Sequence, residues 1–155
     1  MKHFVVIASF AIAGSMAFDP SQETKPRTLP DLESIIAAAI AEGAPVDSIG
    51  MESSILGTIP LDAYVDTLKD GDFRLREVVL LPGAKVRVHG HNERPVIAYV
   101  LEGEIVEHRS DSEHPLVRRK GDSYFEGPGL VHWVENLSSH RVRIISVDIV
   151  PDDAP

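Results

Sequence analysis

The chain has 155 residues, of which 43% are hydrophobic and 25% are charged, and this composition is typical of one globular domain rather than a disordered chain. Its 15 Lys and Arg against 24 Asp and Glu give a net charge of −9, which repels phosphate backbones and anionic lipid, so no nucleic-acid or membrane partner is expected. The sequence contains no cysteine, so disulfides and thiolate chemistry are excluded and a transition metal would need imidazole and carboxylate ligands.

The first 17 residues have the pattern of a removable secretion signal. Lys2 supplies a positive start, residues 4–13 form an apolar run, and residues 15–17 are the small side chains of a cleavage site. The apolar run is shorter than the roughly 20 residues that span a bilayer. We therefore expect an exported protein, periplasmic or secreted, whose mature chain begins at or near Phe18. A buried first strand or helix is the alternative.

Residues 18–47 are predicted to form a linker and an N-terminal helix. Three prolines among polar residues at 19–30 indicate a linker or an extended arm. Asp31 is placed to cap a helix over 32–42, which Gly43 would end. The narrow apolar face of this helix predicts that it packs on the outside of a larger domain.

Residues 48–150 are predicted to be one all-β domain, followed by a short tail at 151–155. Short apolar and β-branched runs alternate with Gly, Pro and Asp turns, which is typical of a sandwich or a small antiparallel barrel. Well-marked turns are predicted at 81–84 and 110–114. The predicted strands are 55–60, 73–81, 85–91, 97–101, 104–109, 116–119, 123–125, 132–135 and 141–149.

Three of the seven histidines form a candidate metal site. His89 and His91 are two apart on a predicted strand, so both side chains leave the same face of the sheet. His132 begins a later strand after the glycine-rich segment 127–129, whose glycines permit a sharp turn. Two imidazoles from one strand and a third from its neighbour can converge on one ion at about 2.0–2.1 Å. The His-x-His pattern alone is a weak signal, and the third histidine strengthens it.

These histidines lie within two segments that resemble the two cupin motifs. The first motif, G-x5-H-x-H-x3-4-E-x6-G, is matched over 83–103 by Gly83, His89, His91 and Gly103. The second, G-x5-P-x-G-x2-H-x3-N, is matched over 121–136 by Gly121, Gly129, His132 and Asn136, with the proline displaced by one to Pro128. The chain is thus identified as a member of the cupin superfamily over about residues 48–150. The resemblance implies a small, antiparallel, jelly-roll-like β-barrel that holds a divalent transition metal.

One motif position departs from the family. Val96 occupies the place of the glutamate that normally joins the three histidines, and valine cannot ligate a metal. The resemblance leaves two ligand sets open: a three-histidine centre, as in some dioxygenases of the family, or ligation by Glu93 from the turn after His91. Glu93 is two residues beyond His91, so its side chain would leave the same face as the histidines, but only if the strand continues through Asn92. Loss of metal binding is the third alternative.

Two further residues are candidates for catalysis. Arg87 shares the face of the histidine pair, so it would project into the cavity or its rim, where a guanidinium can clamp a carboxylate or an enolate. The alternative is an arginine that extends into solvent at the barrel mouth. Glu126 precedes the glycine turn and could be a general base near the metal, with a surface carboxylate as the alternative.

The resemblance implies a metal-dependent oxygenase that acts on a small, oxidisable organic anion, with Fe(II) as the expected ion and Zn, Ni or Mn as alternatives. One alternative is an isomerase or lyase of sugar acids that uses the ion as a Lewis acid. The other is a non-catalytic cupin that binds a small molecule or a metal. Fold alone cannot choose among them. Because cupins are commonly dimers, a second copy of the chain is the one macromolecular partner expected.

Overall fold

A computed structural model describes residues 28–64 and 71–151. The predicted signal segment and most of the predicted linker lie outside the described residues. Within them no helix is long and apolar enough to cross a membrane. The elements are α1 (Leu32–Ala41), β1 (Ile49–Pro60), β2 (Gly71–Gly90), β3 (Val96–Glu102), β4 (Glu104–Arg109), β5 (Leu116–Arg119), β6 (Ser123–Glu126), β7 (Val131–Glu135) and β8 (Val142–Pro151).

Helix α1 begins and ends close to the predicted positions. The Asp31 side chain accepts hydrogen bonds from the backbone N–H groups of Glu33 and Ser34, at 3.2 and 3.4 Å, and so satisfies two free donors of the first turn. The chain leaves the helix through Gly43, whose φ of 101° suits glycine. No residue of α1 is fully buried, and its apolar side chains pack on Val88 and Val131 of the barrel. The helix therefore lies on the outside, as predicted.

All eight strands form one antiparallel sheet, as the sequence predicts for an all-β fold. The strand order is β5-β4-β7-β2-β8-β3-β6, and β1 pairs with β2 outside this path. The sheet curls because the long strand β2 changes partner along its length. Residues 71–80 pair with β8, whereas residues 85–90 pair with β7. This curl encloses a cavity between the two halves of the sheet.

The predicted turn at 81–84 is wrong. A proline followed by a glycine signals a turn locally, but the chain continues in the same strand because each flank has its own partner. Opposite this segment, β1 advances only from Ile49 to Met51 while β2 advances from Leu80 to Lys85, so the segment is a bulge. Gly83 takes a φ of 77° within it. The nine predicted strands thus become eight.

The inner face of the curled sheet carries the core. In β3 the side chains at 96, 98 and 100 are buried while those at 97 and 99 are exposed, which is the alternation expected of a strand with one covered face. Strand β8 alternates in the same way from Val142 to Asp148. The buried apolar cluster comprises Leu80, Ala84, Ala98, Val100, Ile105, Tyr124, Val134, Val142 and Ile144.

Asn136 holds the bulge of β2 against the end of β7. Its side chain is fully buried, and the two hydrogens of its Nδ2 are shared among the carbonyl oxygens of Leu80, Leu81 and His140 at 3.1, 3.0 and 2.8 Å. Its Oδ1 accepts from the backbone N–H of Ser138 at 3.0 Å. Asn136, the last residue of the second motif, therefore has a structural role.

We expect Asn136→Ala to lower the free energy of unfolding by at least about 2 kcal/mol, because buried carbonyl groups lose their donor. Ser139→Ala, in the exposed part of the same loop, is the control and should change it by less than about 0.5 kcal/mol. Urea denaturation of both variants makes the comparison. Equal midpoints for the two variants would contradict this role of Asn136.

Candidate metal centre

The sheet register brings the three predicted histidines together. His89 in β2 is the direct cross-strand partner of His132 in β7, so both side chains leave the same face of the sheet. His91 follows the end of β2, where its backbone N–H donates to the carbonyl of Leu130 at 3.1 Å. The Nε2 atom of His132 lies 3.0 Å from that of His91 and 3.3 Å from that of His89.

Backbone carbonyls set the tautomers of the first two rings. The Nδ1 atom of His89 lies 2.8 Å from the carbonyl oxygen of Arg87, and that of His91 lies 2.9 Å from the carbonyl oxygen of Arg94. A carbonyl oxygen only accepts hydrogen bonds, so each Nδ1 carries the proton and donates it. Each Nε2 is then left with a lone pair aimed into the cluster.

A divalent ion fits this geometry. Lone pairs that face one another repel unless a cation lies between them. Nitrogen atoms bound at about 2.0–2.1 Å to one ion at near-right angles are separated by roughly 3 Å, and the two measured separations are 3.0 and 3.3 Å. His89, His91 and His132 therefore suit a single transition-metal ion, for which imidazole is a favoured ligand.

The surroundings keep two of these imidazoles neutral. Burial, followed by the nearby ring of His132, lowers the pKa of His89 to about 3. Burial also lowers the pKa of His91 to about 4. A metal does not have to displace a proton from either ring at neutral pH.

These pKa values predict that the metal-free protein loses stability on acidification. Below about pH 6.5 the unfolded chain binds protons at His89 and His91 that the folded chain does not bind until the pH nears their lowered values. The free energy of unfolding should then fall by up to about 1.4 kcal/mol per pH unit for each ring. Urea denaturation at pH 7, 6 and 5 measures this slope. A His89→Gln, His91→Gln double variant with the same slope as the parent would contradict it.

Glu107 orients the third ring. It is fully buried in β4, and its Oε1 lies 3.2 Å from Nδ1 of His132. Arg109 donates to the same carboxylate at 2.8 Å, as does Arg118. Burial alone would raise the pKa of Glu107, but the hydrogen bonds from His132 and Arg118 and the charge of Arg109 lower it to about 2. An ionised carboxylate accepts the Nδ1 proton of His132, which turns its Nε2 lone pair toward the other rings.

Sequence reasoning missed Glu107. The one signal in the sequence is its place in β4, where it occupies an inward position two residues from the buried Ile105. A carboxylate at an inward strand position needs a cationic or hydrogen-bonding partner. The partners come from β4 itself, β5 and β7, so the register is needed to identify them.

Glu126, predicted as a general base, lies at the end of β6 and faces the histidines. Its side chain is 8% exposed. Its Oε2 lies 3.1 Å from Nε2 of His91, and its Oε1 lies 3.7 Å from Nε2 of His132. Burial raises the pKa of this carboxyl group. Glu126 is therefore not a surface carboxylate, which was the alternative interpretation of its position in the sequence.

The motif left open whether Glu93 joins the histidines, since Val96 stands at the usual glutamate position. Glu93 is exposed, and the group of converging histidine nitrogens does not include it. Strand β2 ends at Gly90, so the parity that would aim Glu93 inward does not extend to it. Val96 is buried at 4% exposure and lies directly opposite Glu126 in the pairing of β3 with β6.

His89 and His132 line a cavity of about 220 Å³. Three arginines line it: Arg87, as the sequence predicts, and also Arg76 and Arg94. Much of the remaining wall is apolar and consists of Met51, Val78, Leu80, Val86, Ala98, Tyr124, Val134 and Ile144. The cavity thus combines a positive, metal-ligating side with an apolar side.

A buried aspartate neutralises part of this positive charge. Asp148 is 1% exposed, and it pairs with Arg74 at 2.9 Å and with Arg76 at 3.0 Å, while Arg94 lies 3.9 Å away. One carboxylate cannot neutralise three guanidinium groups. The Nε of Arg76 is buried without a hydrogen-bond partner among the described residues.

Comparison with known proteins shows which domain family part of the chain matches. Residues 76–148 match the family model described as "Cupin domain". A solved structure of a predicted oxalate decarboxylase from Thermotoga maritima is 22% identical, with a TM-score of 0.52 over 70% of this chain and 95% of that chain. The polyketide cyclase RemF from Streptomyces resistomycificus is 19% identical, with a TM-score of 0.54 over 74% of this chain and 78% of that chain. At these identities the likeness concerns the fold alone. No curated protein matches the chain.

Proposed function

The chain belongs to the cupin superfamily, and on that premise we propose that it is a metal-dependent oxygenase that acts on a small organic anion inside the barrel. The observation that carries the proposal is the convergence of three imidazole nitrogens beside a cavity that His89, His132 and three arginines line. His89, His91 and His132 would hold the ion, with Fe(II) expected and Zn, Ni or Mn as alternatives.

A bound ion would supply a Lewis-acidic centre with vacant coordination positions and, as Fe(II), a redox-active one. The residues of the chain have two tasks around it. Glu107 holds His132 in the tautomer that ligates, through the contact of 3.2 Å. The three rings are themselves uncharged ligands, which leave the positive charge of an ion available to attract an anion.

The arginines are the proposed anion-binding groups. Arg87 lines the cavity close to His89 in the same strand, and its guanidinium can clamp a carboxylate or enolate with two hydrogen bonds. Arg76 also lines the cavity, and it is held by Asp148 at 3.0 Å. Together with Arg94 they favour a negatively charged ligand in the cavity.

The apolar wall favours an organic anion with a hydrocarbon body over a sugar acid. A polyhydroxylated ligand needs a hydrogen-bond partner for each buried hydroxyl group. The lining offers Ser48, Ser146 and Glu126 beside the arginines and histidines, whereas the other eight residues are largely apolar. The cavity of about 220 Å³ is smaller than the roughly 300 Å³ at which pockets for drug-sized ligands begin. We therefore prefer the oxygenase to the sugar-acid isomerase or lyase.

Oxygen consumption tests this function. Metal-free protein is reconstituted with Fe(II) or with Zn(II) and supplied with a panel of small enolisable carbonyl compounds and carboxylates under air. We expect substrate-dependent oxygen uptake with Fe(II) only, and a loss of at least about tenfold in kcat/KM for Arg87→Met, since a charge-assisted contact of about 1.5–3 kcal/mol is lost. Conversion of a sugar acid by the Zn(II) form without oxygen uptake would instead indicate the isomerase or lyase.

We also propose that the protein is a homodimer. An apolar row crosses four strands on the outer face of the sheet, from Leu75 through Val147 and Ile97 to Phe125, whose side chain is 74% exposed. Such rows are unusual on a monomer surface. In sedimentation analysis the parent should be a dimer and Phe125→Asp a monomer that keeps its metal. A monomeric parent would contradict the proposal.

A further inference from the structure

We infer that Glu126 is a fourth metal ligand, which replaces from strand β6 the carboxylate that the family motif places on β3. The inference rests on the proposed function, because it presupposes an ion held by the three histidines. It assigns to Glu126 a ligand role in place of the general-base role predicted from the sequence.

The register of the two strands explains how the ligand changes strand. Val96, at the motif position of the glutamate, pairs directly with Glu126. Side chains of directly opposite residues leave the same face of a sheet, with Cβ atoms about 4.5–5.5 Å apart. A glutamate side chain spans that distance. A carboxylate from position 126 can therefore reach the point in the barrel that one from position 96 would occupy.

The contacts of the carboxylate agree with shared coordination. Its two oxygens lie 3.1 Å from Nε2 of His91 and 3.7 Å from Nε2 of His132. Nε2 of His91 carries a lone pair, because the Nδ1 of that ring donates to Arg94. Unless the carboxyl group keeps a proton between the two atoms, its oxygen and the ring lone pair repel each other at this distance, whereas a cation bound to both atoms makes the arrangement favourable.

The charge of Glu126 also lacks any other close cationic partner. Among the described residues its ion-pair contacts are with His91 and His132 alone. No arginine among the described residues forms an ion pair with Glu126: Arg109 and Arg118 pair with Glu107, and Arg76 and Arg94 lie 3.0 and 3.9 Å from Asp148. A buried carboxylate needs a compensating charge. An ion at the imidazoles would supply it.

The consequence for the site is a centre of three imidazoles and one carboxylate. A six-coordinate ion in this set keeps two vacant positions instead of three. Those positions are enough for a ligand that binds through two atoms. The carboxylate also lowers the net charge of the centre by one, so the anion depends more on Arg87 and Arg76 for its binding.

Cobalt binding tests the inference. Co²⁺ is titrated against a competing chelator into the metal-free parent, Glu126→Val, Glu93→Ala and the double variant Glu126→Val, Val96→Glu, which returns the carboxylate to the family position. We expect Glu126→Val to bind Co²⁺ at least about 100-fold more weakly and to change its visible spectrum. Glu93→Ala, which removes an exposed carboxylate close to the site, should match the parent. The double variant should recover most of the lost affinity.

The possible results separate the ligand role of Glu126 from the proposed metal-dependent function. If Glu126→Val keeps the affinity and spectrum of the parent, Glu126 is not a ligand and the three-histidine function stands. A weaker affinity with an unchanged spectrum, or no recovery in the double variant, also overturns the inference. If the parent itself does not bind Co²⁺, the proposed function fails together with the inference. Circular dichroism of each variant confirms that the barrel is folded.

Discussion

Replacing His132 by alanine is expected to abolish tight binding of a divalent metal. The Nε2 atom of His132 is close to both other rings, at 3.0 Å from His91 and 3.3 Å from His89. Without it the ion would lose one imidazole of three, and Glu107 would lose the ring that it orients. We expect a loss of affinity above about 100-fold, since disturbing an outer partner of a ligand alone costs 10–100-fold. Metal analysis after dialysis and chelator competition measure the loss.

Two variants serve as controls for this prediction. His114→Ala removes an exposed imidazole that lies outside the cluster, and it should leave the metal content unchanged. Glu93→Ala should leave it nearly unchanged as well, because the side chain is exposed beyond the end of β2. Were Glu93→Ala to lose the ion as completely as His132→Ala, Glu93 would be a ligand and the three-histidine arrangement would have to be abandoned.

The second large effect is expected at Glu107. This fully buried carboxylate accepts hydrogen bonds at 2.8 Å from both Arg109 and Arg118. Glu107→Ala leaves Arg118 without its carboxylate and Arg109 with Asp111 alone, and we expect a loss of about 3 kcal/mol in the free energy of unfolding. Glu107→Gln keeps the volume but not the charge, so it should fold better and bind metal roughly 10–100-fold more weakly, because His132 loses its orienting anion.

Glu104→Ala is the matched control on the same strand. Glu104 pairs with Arg119 at 3.3 Å, but both side chains are more than half exposed. Exposed ion pairs contribute at most about 1 kcal/mol. Denaturant unfolding of the Glu107 and Glu104 variants should therefore separate them clearly. Equal midpoints would mean that the buried network around Glu107 does not stabilise the barrel.

Most of the barrel could be predicted because its signals are local. Buried and more exposed side chains alternate along β3 and β8 because one face of each strand is covered. The predicted bounds of β4 and β5 agree with the structure at both ends. The bulge at 81–84 could not be predicted in this way. Its proline and glycine resemble a hairpin turn, and only the exchange of partners from β8 to β7 shows that the strand continues.

The site was predictable to the extent that its residues share a strand or a motif. His89 and His91 are close in sequence, and His132 follows from the second motif. The buried carboxylates depend on pairings between distant segments, such as Val96 with Glu126 or Glu107 with the arginines of β4 and β5. Those registers are not visible in the sequence. The condition on which Glu93 would point toward the histidines is not met, because strand β2 ends at Gly90 instead of continuing through Asn92.

The most direct test of the metal centre is X-ray absorption at the zinc edge of the Zn²⁺-reconstituted protein. The arrangement of His89, His91 and His132, whose ligand atoms lie within 4.8 Å of one another, predicts three imidazole nitrogens at about 2.0–2.1 Å from the ion. A centre with one imidazole or none, or zinc that dialysis removes completely, would contradict it.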